Sequence, residues 1–181
     1  MKKVVKFGGS SLANAQQFMK VGDIIRQDDA RRYVVPSAPG KRYAEDVKVT
    51  DMLYQCYAKA EAGEAFDELL NRIKSRYEEI IGGLGLELSL DGEFAKIREM
   101  FENKAGTDYA ASRGEYLNGI VMAAYLGFEF VDAADVIFFD KNGALDEEKT
   151  NRAIGKRLKS AEYAVIPVSY THLTLPTNSR V

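Results

Sequence analysis

The 181-residue chain is 46% hydrophobic and 29% charged, with 15 Gly and 4 Pro, which excludes disordered and fibrous classes and leaves enough apolar material for one sizeable core. Its formal net charge of -2 offers no cationic excess to displace counterions from a phosphate backbone, so nucleic acid is not an expected partner. A single cysteine, Cys56, cannot form an internal disulfide, and no run approaches the ~20 apolar residues of a bilayer span, so a cytoplasmic protein without membrane contact is expected.

Val4-Val5-Lys6-Phe7 is a short β-rich run that stops at Gly8-Gly9. Residues 15–26 then set Phe18, Val21 and Ile25 at helical spacing, giving strand, turn and helix in that order. Lys6 and Gly8-Gly9 also interrupt the apolar run behind Met1-Lys2-Lys3, so no signal peptide forms. Tyr33-Val34-Val35 reads as a second buried strand, closed by Pro36 and followed by a loop containing Pro39-Gly40. Helical patterns follow at 50–62, 66–81 and 92–103, with Gly82-Gly83 punctuating the second; together, at about 48–104, they look like an inserted helical layer. A fourth pattern at 109–126 places Leu117, Val121 and Ala124 on one face, with Gly127 as its stop. Compact apolar runs at 128–131 and 136–139, a helix around 147–158 and a last strand at 163–166 complete the order. Strands separated by helices pair in parallel through right-handed crossovers, so the expected fold is α/β, a three-layer, mostly parallel sheet built from residues 1–167.

Chemistry concentrates at Lys6-Phe7-Gly8-Gly9-Ser10-Ser11, between the first strand and the first helix. Two glycines let backbone approach a ligand, amides at a helix start attract an anion, and Lys6 adds positive charge suited to a transferring phosphoryl group. An ordinary turn with Ser10 or Ser11 as N-cap fits the same residues equally well. The glycine spacing matches neither a P-loop nor the dinucleotide fingerprint.

The order of several such segments carries a resemblance. Val4-Val5-Lys6-Phe7-Gly8-Gly9-Ser10-Ser11 resembles the opening signature of aspartate kinases in the amino-acid kinase superfamily. Val34-Val35-Pro36-Ser37-Ala38-Pro39-Gly40 is similar to that family's second-strand loop, and Val49-Thr50-Asp51-Met52-Leu53 to the start of its next helix. Ser112-Arg113-Gly114-Glu115-Tyr116-Leu117 is similar to its Ser-x-Gly-Glu element, and the likeness continues through Val131-Asp132-Ala133 and Val165-Ile166-Pro167. The resemblance implies the N-terminal lobe of an amino-acid kinase domain, incomplete as it stands. It implies transfer of phosphoryl from ATP to the side-chain carboxylate of L-aspartate, a step toward lysine and threonine, with Mg²⁺ accompanying ATP and a homo-oligomeric parent enzyme.

Roles follow from the same resemblance. Lys6 would stabilise the transferred phosphoryl; Lys6, Phe7, Gly8, Gly9 and Ser10 would hold ATP phosphates; Ser37, Thr50 and Glu115 would hold aspartate, Glu115 meeting its ammonium. No metal-ligating residue is assigned. On a helix, Ser112 and Gly119 share Glu115's face, and the glycine would leave room for a ligand. Taken one at a time, Glu115 is more simply a solvated helix residue, Thr50 is equally plausible as an N-cap, and Ser37 is nearly as plausible as a turn serine. Lys41 and Arg42 read as a solvated pair, Asp132 and Asp135 as caps or turn residues, and Phe128, Phe130, Phe138 and Phe139 as core. Another amino-acid or carboxylate kinase, or a non-catalytic amino-acid-binding fragment, are the competing readings. Residues 168–181 depart from the family where a Gly-Phe-x-Gly turn is expected and are similar to a translated sequencing adaptor. They are therefore read as a non-native tail, which also contains the only histidine, His172, and the fragment is expected to be inactive alone.

Overall fold

A computed structural model describes residues 1–168. The chain runs as β1 (Lys3–Phe7), one turn of 3-10 helix (Gly9–Leu12), α1 (Ala15–Arg26), β2 (Arg31–Pro36), α2 (Val49–Glu61), α3 (Asp67–Gly83), α4 (Asp91–Glu102) and α5 (Thr107–Leu126). Then follow β3 (Glu129–Phe130), a single turn α6 (Ala133–Val136), α7 (Glu147–Ser160) and β4 (Ala164–Val165). The four strands form one sheet in the order β1-β2-β4-β3, and every pairing is parallel. The tail assignment at 169–181 lies outside the described residues.

Period-2 alternation sorts side chains onto the two faces of this sheet. Val34 and Val165 lie in the larger cluster, with Phe18 of α1 and Leu117 and Val121 of α5. Their neighbours Tyr33 and Ala164 lie in a smaller cluster with Val136 and Ala161, against which Ile154 and Leu158 of α7 pack. The sheet thus has helices on both faces, the three-layer arrangement expected of parallel strands, whose two faces both need covering.

Local chemistry explains the helix limits. The Asn14 side chain caps α1 by accepting from the Gln17 amide at 3.0 Å, so neither Ser10 nor Ser11 is the cap. Gly127, at φ 70°, takes the left-handed conformation that ends α5. Asp146 caps α7, with Glu147 and Glu148 in its first turn and Arg157 and Lys159 in its last, each sign matched to the helix dipole. Helices α2 to α4 pack around Phe101, which is fully buried and meets Tyr57 edge-to-face at 5.5 Å. Truncating such a ring to alanine costs about 3–5 kcal/mol.

Three expectations are corrected. The apolar run at 136–139 adds no strand to the sheet: Val136 ends α6, and Phe139 forms only an isolated antiparallel bridge with Leu145. Phe139 is 48% exposed and so is not core, because this short excursion stands off the sheet. Along α5 the buried stripe continues through Met122 and Ala123, while Ala124 faces solvent.

Candidate active site

Adjacent parallel strands release their loops at the same sheet edge, the usual ligand position in α/β sheets. Phe7, at the end of β1, pairs with Pro36 at the end of β2, and the Ser37 amide donates to the Phe7 carbonyl at 3.0 Å. Beyond this point the two loops lock backbone to backbone. The Gly40 amide donates to the Gly9 carbonyl at 2.8 Å. A Cβ on Gly9 would lie 2.7 Å from the Ala38 carbonyl oxygen, and one on Gly40 would lie 2.6 Å from the Gly9 carbonyl carbon. Both glycines are therefore demanded by loop-on-loop contact. Gly8, by contrast, faces open space, with no atom within 4 Å of a hypothetical Cβ.

Helix α5 closes the third side. Gly114 fits under Ala38, whose Cβ would be 2.7 Å from any side chain added there, and the buried Tyr77 hydroxyl donates to the Gly114 carbonyl at 2.7 Å. One turn on, the buried Asn118 donates its Nδ2 to the Ser37 carbonyl at 2.6 Å. Glu115 is thereby held toward the loop. A cavity of about 490 Å³ results, lined by Gly9, Ser10, Ser37, Lys48, Thr50 and Glu115 among others.

The electrostatics of this cavity centre on Glu115. Its Oε2 is buried without a hydrogen-bond partner among the described residues. Desolvation raises its pKa, an effect only partly offset by the amides of Glu115 and Ala38 and by the positive charge of Lys6. The carboxylate therefore favours a cation arriving from the cavity. Lys6 itself is exposed at the end of β1 and does not line the cavity, although it acts on Glu115's charge.

Of the residues singled out from sequence, Gly9, Ser10, Ser37, Thr50 and Glu115 share one cavity. Gly8 and Phe7 lie just outside it, Phe7 packing into the core. Thr50 sits one residue inside α2, whose N-cap is Lys48, so it is not the cap. Gly119 makes room for Pro167, 2.7 Å from a hypothetical Cβ, and not for a ligand. Ser112 lines a separate depression of about 180 Å³ with Arg113, Tyr116 and Asp132; there the Arg113 guanidinium lies 4.5 Å and 4.4 Å from the Tyr109 and Tyr116 ring centres. Asp132 is a cap, accepting from the Ala134 amide, as expected. Arg42 is no free surface cation: it binds Asp46 through Nε and Glu79 through a terminal nitrogen, each at 2.9 Å.

Arg76 escaped the sequence reading, and it braces the loop from behind. It donates to the carbonyls of Gly40 at 2.7 Å and Val47 at 2.9 Å, and pairs with Asp46 at 3.2 Å. Hydrogen bonds from Arg42 hold the Asp46 carboxyl far below the usual carboxylate range, whereas desolvation and the nearby Arg42 charge lower the pKa of Arg76. A signal was present: Arg76 interrupts the stripe Ile73, Tyr77, Ile80 on the buried face of α3.

The chain matches the model of the amino acid kinase family over residues 1–176. It belongs to that family. It is 41% identical to aspartokinase 3 of Bacillus subtilis over 140 residues, which is 72% of this chain and 30% of that protein. The crystal structure of Clostridium acetobutylicum aspartate kinase superposes with a TM-score of 0.88 at 50% identity, covering 92% of this chain and 39% of that one. Escherichia coli aspartokinase III in complex with aspartate and ADP shares the fold, with a TM-score of 0.73 at 22% identity over 92% of this chain and 40% of that one. The aspartate kinase resemblance and the α/β fold class are borne out by these matches, and the chain spans 30% to 40% of these relatives' length.

Proposed function

We propose that this chain is part of an aspartate kinase, carrying the half of the site that holds L-aspartate. The observation behind this reading is the buried Oε2 of Glu115, unpartnered among the described residues, beside a cavity that also carries the hydroxyls of Ser10, Ser37 and Thr50. An amino acid with a second carboxylate supplies the matching groups: an ammonium for Glu115, and carboxylates for the hydroxyls of Ser37 and Thr50. An oxygen of the substrate's side-chain carboxylate attacks the γ-phosphorus of ATP. The bond to the β,γ-bridging oxygen breaks, and ADP departs with its electron pair. Lys6 contributes positive charge where negative charge spreads over the transferring group, and Gly8, Gly9 and Ser10 present the backbone to phosphate.

A structure of the same fold is in complex with aspartate and ADP, which supports nucleotide as co-substrate. Among the described residues no three acidic, cysteine or histidine side chains gather to hold a metal. Mg²⁺ belongs to this reading as the companion of ATP, and the chain's own share of the transfer rests on Lys6 and the turn. No described helix is long and apolar enough to cross a membrane. A cytoplasmic, homo-oligomeric enzyme feeding lysine and threonine synthesis completes the proposal.

The test is acyl phosphate formation, trapped as the hydroxamate, by an enzyme comprising this chain and the further length its relatives possess. Aspartate should be the preferred acceptor over glutamate, acetylglutamate and carbamate. Preference for another acid would transfer the site to a different kinase of the family. Stoichiometric aspartate binding without turnover would favour a binding protein.

A further inference from the structure

Arg76 lies within α3 with only 5% of its side chain exposed. Its guanidinium reaches three separate segments. One terminal nitrogen donates to the Val47 carbonyl at 2.9 Å; the other donates to the Gly40 carbonyl at 2.7 Å and, at 3.5 Å, to the carbonyl of Ala13. Asp46 neutralises it at 3.2 Å and is itself held by Arg42, which bridges back to Glu79 on α3. Burying a cation is unfavourable, and its pairing with Asp46 offsets that cost only where the remaining N–H groups also find acceptors; here those acceptors are backbone carbonyls of Ala13, Gly40 and Val47. The fork ties the Gly40 loop to Ala13, which ends the 3-10 turn bearing Ser10, and to Val47, just ahead of α2, which bears Thr50.

We infer that Arg76 is a positioning residue for the aspartate cavity: it holds the Gly40 loop against the Gly9 turn and so sets the distance between the turn amides and Thr50. This inference rests on the proposed function for its ligand, though not for the staple itself. It also gives α3 a part in the site, although no α3 residue lines the cavity.

Two variants of the full chain separate positioning from structural charge balance. Arg76→Lys keeps a cation opposite Asp46 but cannot bridge three carbonyls, while Asp46→Asn with Arg76→Met removes both charges at similar volume. The melting temperature, hydrogen exchange at the Gly40 amide and calorimetric L-aspartate affinity are measured for each. Both variants should stay folded, exchange the Gly40 amide at least about tenfold faster and bind aspartate about 10- to 100-fold more weakly, as loss of preorganisation predicts. Full Gly40 protection and wild-type affinity in Arg76→Lys, or in the double variant, would overturn the inference. If wild-type chain bound no aspartate, the site assignment would fall, and Gly40 exchange alone would decide whether the staple exists.

Discussion

Glu115 keeps part of its carboxylate out of water while its Oε2 lacks a hydrogen-bond partner among the described residues, so the charged form is disfavoured until a cation arrives. Glu115→Gln preserves shape and removes that charge. It should weaken aspartate binding by about 1.5–3 kcal/mol, the scale of a charge-assisted hydrogen bond, and leave ATP affinity unchanged, as read by calorimetry. Equal effects on both ligands would return Glu115 to a general structural role. The same burial fixes the sign of a pH effect. A carboxyl whose folded pKa is raised gives stability that is fully present below its ordinary value of 4.5 and lost as pH rises through the folded value. Glu115→Gln escapes this loss, so urea unfolding should show the variant gaining on wild type as pH rises above 4.5. Lys6 stands apart, exposed and off the cavity wall, so Lys6→Ala in the longer enzyme should lose roughly 2–4 kcal/mol of transition-state stabilisation with little change in aspartate affinity. Near-normal kcat in that variant would remove Lys6 from the mechanism.

Among the elements, the turn after β1 and the loop after β2 behave as one unit, because Gly9 and Gly40 touch through their backbones. A methyl at Gly9 collides with the Ala38 carbonyl oxygen, and a backbone neighbour cannot rotate away. Gly9→Ala should therefore cost about 1–3 kcal/mol in equilibrium unfolding, the range for overpacking a tight site. Gly8→Ala, facing open space, should change stability by less than about 0.5 kcal/mol. Equal stability of the two variants would show that the loops part easily. Periodicity made the helices legible: the stripe Phe18, Val21, Ile25 marked α1, and Gly127 marked the end of α5. The run at 136–139 was not legible, since a few apolar residues suit a strand, a helix end or a bridge alike.

At the scale of the whole molecule, Val168 packs on the smaller cluster, as do Ile137 and Leu158. Removing 169–181 should leave unfolding free energy within about 0.5 kcal/mol of the full chain, and a larger loss would make that segment part of the fold. The sequence by itself determined the α/β order, because strand ends, glycine turns and helix periods are local properties of neighbouring residues; the family and the candidates Ser37, Thr50 and Glu115 were carried by the likeness of whole motifs to aspartate kinases. Only the tertiary structure decided what those positions meet. That Gly119 serves Pro167, that Gly9 serves Gly40, and that Arg76 and Asn118 brace the loop from helices at 67–83 and 107–126 are facts of non-local contact. A glycine's reason for being small, and a buried charge's partners, lie across space in atoms that sequence spacing does not order.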